Sequence, residues 1–205
     1  GQTTTLGRGG SDYTAAIFAA ALQAIDLEIW TDVNGMYTAN PKIVKQAKPI
    51  DKLSYEEAME LSHFGAKVLY PPTIQPVLNK NIPIWIKNTF EPEAPGTYIS
   101  SEHTKSDNPI KGLSHIENIT LITLEGSGII GISGSSKRLF EVLSQINVNV
   151  IFITQASSEH SICIGILDGD AFRAKQAIDK AFGLEISQQS INPCIVENGL
   201  CILAV

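Results

Sequence analysis

The chain has 205 residues, 43% of them hydrophobic, and a formal net charge of −6 at pH 7. This length allows two compact domains, each with its own core. A negative charge without a Lys/Arg cluster excludes a nucleic-acid binder, because such proteins need a basic surface to offset phosphate charge. No apolar run approaches the roughly 20 residues that span a bilayer, and residues 1–5 do not look like a signal peptide. We therefore expect a soluble, cytoplasmic protein that binds small molecules, and neither nucleic acid nor a membrane.

The cysteines and histidines predict neither a disulfide framework nor a metal site. The cysteines Cys163, Cys194 and Cys201 are unclustered, and none belongs to a CxxC pair. The histidines lack the paired spacing that brings two ligands to one metal. We expect buried, reduced cysteines and no structural metal.

The first part of the chain alternates strand-like and helix-like patterns. In chain order these are a strand at 2–6, a helix after the glycine turn 7–12, a strand at 27–30, an amphipathic helix from Ser54 and a strand at 82–86. This alternation indicates an α/β sheet covered by helices.

The second part predicts a different unit. Residues 91–112 are rich in Pro, Glu, Ser, Thr and Asn without a sustained apolar period, so we expect a linker there. The patterns that follow are a strand at 119–124, a helix at 135–146, strands at 148–153 and 162–166, a helix at 170–182 and a strand at 194–197. Asp170 is a possible cap of the last helix, and Gly183 is its predicted stop. The order is that of a ferredoxin-like βαββαβ unit.

The glycine turn Gly7–Asp12 has the sequence GRGGSD and opens a helix. That helix has four apolar residues at helical spacing, namely Ala15, Phe18, Leu22 and Ile25. Glycines let the backbone approach a ligand, and the free N–H groups of a helix N-terminus attract anions. Arg8 adds a planar fork for a carboxylate or phosphate, and Asp12 can cap the helix or take an ammonium group. Taken alone, the turn leaves an ordinary βα turn, with Asp12 only capping, as an equal alternative.

Three phrases occur in one order: TTTLGRGGSDYTAA, WTDVNGMYTANPK and FGAKVLYP. Together they resemble the aspartate kinases of the amino-acid kinase superfamily. The resemblance implies a three-layer α/β/α kinase domain, of which this chain holds the C-terminal half. It also implies transfer of the ATP γ-phosphoryl group to the side chain of L-aspartate, with Mg²⁺ accompanying ATP. In such an enzyme GRGGSD lines the aspartate site, so the implied substrate contacts are Arg8, Gly10, Ser11 and Asp12, with Asp12 also catalytic.

The second phrase follows an apolar strand, so Thr31 and Asp32 fall at its carboxyl end, where ligands bind in open α/β sheets. The resemblance implies that Thr31, Asp32 and Tyr37 contact the adenosine of ATP. It also implies that Lys42 and Lys67 approach the phosphates, with Lys67 catalytic. Related enzymes often have Arg at the position of Lys42, and Lys keeps the charge without the bidentate fork.

Two local patterns accompany these phrases. Asn34-Gly35 predicts a plain turn to which we assign no chemistry. Ser54 and Glu57 have the spacing of a capping box at the start of the amphipathic helix.

The family's first strand and its KFGGTS-type phosphate loop do not occur in this sequence. That loop supplies a lysine and glycine amides at the reacting phosphates. We therefore expect this chain in isolation to be catalytically inactive.

The βαββαβ unit has a glycine-rich turn at 126–134 without a lysine, so it lacks the chemistry of an ATP loop. The unit resembles an ACT domain, in which such a turn helps form an amino-acid pocket between two ACT units. The phrase at 153–161, ITQASSEHS, resembles threonine-sensitive aspartate kinases, especially those fused to homoserine dehydrogenase. The resemblance implies threonine as the effector and a homo-oligomer formed by ACT pairing. NADP is implied only if a dehydrogenase domain follows.

In that family an Ile and a Gln at the matching positions contact threonine. Gln155 is therefore the first effector candidate, because its amide can both donate to and accept from a zwitterion. Ile153 is the matching Ile, and Ile129 and Ser135 are weaker candidates from the same alignment. A glutamine at a hairpin end that faces only water is the alternative.

The predicted domains are a kinase segment at 1–90, a linker at 91–112, an ACT domain at 113–198 and the start of a truncated second ACT unit at 199–205. The predicted function is that of a threonine-regulated aspartate kinase acting in threonine, methionine and lysine biosynthesis. One alternative is another amino-acid kinase, acting on glutamate, a uridine nucleotide or carbamate. The other is a non-catalytic amino-acid-sensing module.

Overall fold

The computed structural model describes residues 6–7, 9–63, 68–103, 110–129, 134–155 and 161–205. The chain forms two compact units, Gly1–His115 with Leu203–Val205, and Ile116–Ile202. The predicted fold class is confirmed: each unit has its own four-stranded sheet and its own helices.

The first unit contains three helices and four strands among its described residues. They are α1 (Gly10–Leu22), β1 (Leu27–Thr31), β2 (Lys52–Ser54), α2 (Tyr55–His63), α3 (Pro71–Leu78), β3 (Ile84–Asn88) and β4 (Thr97–Ser100). The sheet order is β1-β3-β4-β2. β1 runs parallel to β3, β3 antiparallel to β4, and β4 parallel to β2. The parallel pair β1 and β3 therefore ends at one shared edge.

Alternation along the strands sorts residues between the two sheet faces. Leu27 and Ile29 of β1 are buried, whereas Glu28 and Trp30 are exposed. β3 and β4 alternate in the same way. One face therefore packs into the core of the unit, as period-two patterning predicts.

Helix α1 is confirmed, but its apolar periodicity does not mark the core of this unit. Ala16 and Ala19 are buried, while Phe18, Leu22 and Ile25 are 61%, 76% and 92% exposed. Small alanine side chains on the buried side allow the close approach of α3, against which α1 packs. Phe18 and Leu22 lie on its exposed side, and Ile25 follows the end of the helix.

The prediction of a linker over 91–112 is wrong for Thr97–Ser100. These residues form β4, an inner strand between β3 and β2. Thr97 and Ile99 are fully buried, so the strand belongs to the core of the sheet. The strand is too short for its alternation to stand out beside Pro95-Gly96 in the sequence.

The second unit has the βαββαβ order predicted from the sequence. Its elements are β5 (Ser114–Glu125), α4 (Ser135–Gln145), β6 (Phe152–Gln155), β7 (Ser161–Leu167), α5 (Ala171–Ala181), α6 (Gly183–Ser187) and β8 (Ile195–Ala204). The sheet order is β6-β7-β5-β8, and β7 is antiparallel to both β5 and β6. The core joins Ile122 and Ile164 of the sheet to Leu139 of α4 and Ile178 of α5.

Several predicted boundaries of the second unit are shifted. The strand predicted at 148–153 is β6, four residues that begin at Phe152, because Val148 lies buried in the turn before it. The last predicted helix, α5, ends at Ala181, one residue before its predicted end, but Gly183 lacks positive φ and begins α6. Asp170 stands at the N-cap position without a side-chain cap bond, since its carboxylate accepts two hydrogen bonds from Arg173.

Two further predictions need correction. The boundary predicted between 198 and 199 falls inside β8, which continues to Ala204. The cysteines are all free thiols, but Cys194 is buried, Cys163 is partly exposed and Cys201 is exposed. Among the described residues, no helix combines the length and the apolar character needed to cross a membrane.

Candidate nucleotide and effector sites

The GRGGSD turn and the end of the FGAKVLYP phrase lie together. Gly9 precedes α1 in the left-handed conformation, with φ 67°. A Cβ at this position would lie 2.8 Å from Cβ of Tyr70, so both the backbone and the available space require glycine. Arg8 and Lys67, which belong to these two phrases, lie outside the described residues.

Three predicted substrate residues form the first turn of α1. Gly10 begins the helix, and Asp12 is its acidic residue in that turn. Ser11 Oγ donates to Asp12 Oδ1 at 3.3 Å. Gly9 occupies the N-cap position without any side-chain cap bond. The partial positive charge of the helix N-terminus stabilises the Asp12 carboxylate there.

Thr31 and Asp32 lie at the carboxyl end of β1, as predicted. Thr31 pairs in register with Asn88, the last residue of the parallel strand β3. Thr89 N–H donates to the carbonyl oxygen of Thr31 at 2.8 Å, and Thr31 Oγ1 donates to Asp32 Oδ1 at 3.2 Å. Their backbone is thus held at the edge where parallel strands end.

The loop after β1 is held by side chains that the sequence did not single out. Asn88 Nδ2 donates to Asn34 Oδ1 at 2.6 Å, and Asn34 Nδ2 donates to Glu91 Oε2 at 2.8 Å. The partners are 54 and 57 residues apart in the chain, so no local pattern marks them. The predicted turn at Asn34-Gly35 is present, and the Asn34 side chain holds the loop in place through these two hydrogen bonds.

A second anchor lies at Gly35 and Met36. Gly35 has φ 108°, and a Cβ there would lie 2.3 Å from Thr97 Oγ1. Met36 N–H donates to Thr97 Oγ1 at 2.8 Å, and this hydroxyl donates to the carbonyl oxygen of Ile50 at 2.7 Å. Strand β4, which the sequence did not predict, therefore anchors both ends of the loop between Met36 and Ile50.

Tyr37 and Lys42 lie in this loop. Tyr37 forms an antiparallel bridge with Pro49 and is partly buried. Lys42 is exposed, and its N–H donates to Asn40 Oδ1 at 3.0 Å. Of the predicted nucleotide contacts, Thr31 thus ends β1, whereas Asp32, Tyr37 and Lys42 follow it in the anchored loop, with Lys42 exposed.

A charged and aromatic cluster lies on the more exposed face of the same sheet. Lys87 forms an ion pair with Glu28, and its Nζ lies 5.3 Å and 5.5 Å from the ring centroids of Trp30 and Trp85. The Lys87 hydrogen bond, followed by that from Trp30, lowers the pKa of Glu28. Period-two alternation in β1 and β3 would place these residues on one face, but their pairing depends on strand register.

The capping box at α2 is confirmed and extended by a lysine. Glu57 N–H donates to Ser54 Oγ at 3.2 Å, and Ser54 N–H donates to Glu57 Oε2 at 2.8 Å. Lys111 Nζ lies 2.7 Å from Glu57 Oε1. Burial raises the pKa of Glu57, but the hydrogen bonds from Lys111 and Ser54 and the lysine charge together lower it below its ordinary value. Leu113 N–H donates to the carbonyl oxygen of Thr38 at 2.8 Å, so this segment also contacts the loop between Met36 and Ile50.

The predicted effector residues differ in their surroundings. Gln155 and Ile153 lie on the edge strand β6 and are exposed. Ile129 is 5% exposed and belongs to the core, so its side chain is not presented to an effector in this structure. Ser135 begins α4 and is partly buried.

The second unit also has a shallow concavity of about 340 Å³ between the end of α4 and the start of β6. It is lined by Phe140, Leu143, Ser144, Asn147, Val148, Asn149 and Val150. The predicted effector residues are not among them. Within the described part of the chain, no group of three His, Cys, Asp or Glu residues could hold a metal ion.

Comparison with known families and proteins matches both units. Residues 1–88 match the amino acid kinase family, and residues 122–182 match an ACT domain. The bifunctional aspartokinase/homoserine dehydrogenase of Haemophilus influenzae is 42% identical over 205 residues, which cover 100% of this chain and 25% of that protein. This chain is similar to aspartokinases along its whole length. The lysine-sensitive aspartokinase 3 of Escherichia coli is 38% identical over 208 residues, covering 100% of this chain and 45% of that protein.

Solved structures agree with this similarity. The aspartate kinase of Clostridium acetobutylicum superposes with a TM-score of 0.81 at 33% identity, over 98% of this chain and 46% of that one. Aspartokinase III of E. coli in complex with aspartate and ADP gives 0.76 at 35% identity, over 99% of this chain and 44% of that one. The chain therefore spans less than half the length of these relatives.

Proposed function

We propose that this chain is part of an aspartate kinase that transfers the γ-phosphoryl group of ATP, with its Mg²⁺, to the side-chain carboxylate of L-aspartate. The product would be 4-phospho-L-aspartate, at the start of threonine, methionine and lysine biosynthesis. The observation that carries the proposal is the contact between Gly9 and Tyr70, which joins the glycine turn to the end of the third phrase. The solved complex of E. coli aspartokinase III with aspartate and ADP supports it by relationship. A cytoplasmic location is part of the proposal.

In this proposal the glycine turn binds aspartate. Arg8 takes a substrate carboxylate, and Gly10, Ser11 and Asp12 complete the site at the start of α1. A helix N-terminus suits this role, because its N–H groups and dipole attract negative charge. Phosphoryl transfer asks mainly for positioning and neutralisation of charge, so no covalent enzyme intermediate is needed.

The nucleotide lies at the carboxyl edge of β1. Thr31, Asp32 and Tyr37 contact its adenosine part, and Lys42 and Lys67 neutralise its phosphates. The anchored loop after β1 supports this assignment, because a rigid loop loses little conformational entropy when it binds a ligand.

We further propose that this chain in isolation is inactive. Phe18 and Leu22 of α1 and Ile25 after its end are exposed apolar residues, and such a surface commonly packs against another part of a protein. The solved relatives carry more than half of their length beyond the matched region.

Threonine is the proposed effector, bound near Gln155 and Ile153, with ACT units pairing into a homo-oligomer. β6 is an edge strand, so its free backbone groups and exposed side chains could meet a second unit. E. coli aspartokinase III, which is lysine-sensitive, has been solved with lysine and aspartate. Lysine is therefore the competing effector.

Aspartate-dependent release of ADP from ATP tests the kinase proposal. The full-length protein that contains this sequence should release ADP with aspartate, and not with glutamate, carbamate or uridine monophosphate. The 205-residue chain alone should show none. Turnover with another acceptor would favour a different amino-acid kinase, and a folded full-length protein without turnover would favour a sensing module.

Calorimetric titration of the full-length protein with threonine, lysine and methionine tests the effector. Saturable binding of threonine alone is the expected result. Binding of lysine instead would replace threonine as the effector and leave the kinase proposal standing.

A further inference from the structure

Asn34 and Asn88 connect the loops that leave the ends of β1 and β3. Asn88 is the last residue of β3, is 6% exposed, and pairs in register with Thr31. Its Nδ2 donates to Asn34 Oδ1 at 2.6 Å, and Asn34 Nδ2 donates to Glu91 Oε2 at 2.8 Å. A chain of hydrogen bonds therefore crosses the edge at which the nucleotide is proposed to bind.

The direction of each hydrogen bond that links Asn88, Asn34 and Glu91 is fixed. Phe90 N–H donates to Asn88 Oδ1 at 2.9 Å, and a backbone N–H can only donate. Asn88 must then present its NH₂ group to Asn34, which accepts through Oδ1. The remaining NH₂ group of Asn34 meets the Glu91 carboxylate, which can only accept. A single arrangement satisfies all of these groups, so the Asn34 side chain has one orientation.

This orientation fixes the middle of a loop whose two ends are also anchored. Before Asn34, the carbonyl oxygen of Thr31 accepts from Thr89 N–H at 2.8 Å. After it, Met36 N–H donates to Thr97 Oγ1 at 2.8 Å. The backbone that carries the proposed nucleotide contacts thus has little freedom left.

We propose that Asn34 and Asn88 are positioning residues for the nucleotide, acting on Thr31 at the end of β1 and on Asp32 in the loop that follows. This inference rests on the proposed kinase function. The proposed aspartate contacts lie on a separate element, the first turn of α1. A defect in the amide chain should therefore weaken ATP binding and leave aspartate binding unchanged.

Asn34→Asp tests the proposal in the full-length protein. The new carboxylate still accepts from Asn88, but it loses the donor to Glu91 and places two carboxylates side by side. We expect the KM for ATP and the dissociation constant of ADP to rise about tenfold, since a lost charge-assisted hydrogen bond costs at least the energy of one decade. We expect kcat and the KM for aspartate to stay within about twofold.

Two variants serve as controls. Asn34→Asp combined with Glu91→Gln restores a donor opposite the new carboxylate, so the KM for ATP should return to within about threefold of the wild type. Asn79→Asp makes the same charge change at an exposed residue after α3 and should leave all constants unchanged.

Selective loss of nucleotide binding with recovery in the double variant supports the proposal. Unchanged nucleotide constants, equal losses for both substrates, or failure of the double variant to recover would overturn it. If the wild type shows no aspartate-dependent turnover, the proposed kinase function fails. The calorimetric ADP constants of the same variants still decide whether the amide chain positions a nucleotide.

Discussion

The loop after β1 and the edge strand β6 carry the two sets of proposed ligand contacts, and they differ in how firmly they are held. In the first unit, Asn34 and Met36 are anchored by side chains from β3 and β4. In the second, Ile153 and Gln155 are exposed on a strand with one neighbour. A rigid edge suits a substrate that must be positioned, whereas an exposed edge suits a partner that arrives and leaves.

Glycines in tight contact with neighbours give the largest expected effect. Gly35→Ala puts a methyl group 2.3 Å from Thr97 Oγ1 at φ 108°, and we expect a loss of about 2–5 kcal/mol in the free energy of unfolding. Gly165→Ala meets the Phe152 ring at 2.2 Å without positive φ. Because Phe152 lies on the edge strand and can move, the second loss should be about 1–3 kcal/mol. Urea unfolding measures both losses.

Gly169→Ala is the control, since nothing lies within 4 Å of the position its Cβ would take. Its stability should equal that of the wild type. A larger loss for Gly165→Ala than for Gly35→Ala would contradict the difference in rigidity between the two regions.

A carboxylate in each unit, Glu57 and Asp179, gives a smaller expected effect on stability, and this effect depends on pH. Glu57 binds Ser54 N–H and Lys111, and Asp179 binds Cys194 N–H and Lys175. In both, burial raises the pKa but is outweighed by these partners, so the pKa of each carboxyl lies below its ordinary value. A lowered folded-state pKa stabilises the fold above the unfolded-state pKa, and this contribution disappears as the pH falls through the folded-state value.

We expect Glu57→Gln to lower the free energy of unfolding at pH 7 by about 1–3 kcal/mol, and Asp179→Asn by less. Lys111 is 21% exposed and Lys175 is 39% exposed, so solvent screens the second pair more. Both differences from the wild type should shrink as the pH falls below these ordinary values. Urea unfolding between neutral and acidic pH measures them, and a loss that persists unchanged in acid would contradict the assignment.

Lys42→Ala gives the smallest effect. Because Lys42 is exposed, its interaction with a phosphate is screened, and the KM for ATP should rise only about threefold. Lys45→Ala, at an exposed lysine on the same loop, should change nothing. Loss of turnover in the Lys42 variant would mean that this lysine acts directly on the reacting phosphate.

Helices and strands with a clear hydrophobic periodicity could be predicted from the sequence. Contacts between residues on different strands could not. Strand β1, the capping box of α2 and the order of the second unit follow from local patterns. β4 was missed because its four residues show too little alternation beside a Pro-Gly turn. The Asn34 and Asn88 pair was missed because strand register, which a single sequence does not specify, brings them together.

The central claim is that the kinase site in the first unit and an amino-acid-sensing site in the second belong to one regulated aspartate kinase. Inhibition of aspartate-dependent ATP turnover by threonine tests this claim most directly. The account predicts that threonine inhibits the full-length protein. It also predicts that Gln155→Ala raises the half-inhibitory concentration at least about tenfold, with kcat and the KM values unchanged, since a lost amide contact to a charged ligand costs that much. The exposed Gln176→Ala on α5 should behave like the wild type. Absence of turnover, or equal inhibition of both variants, would contradict the account.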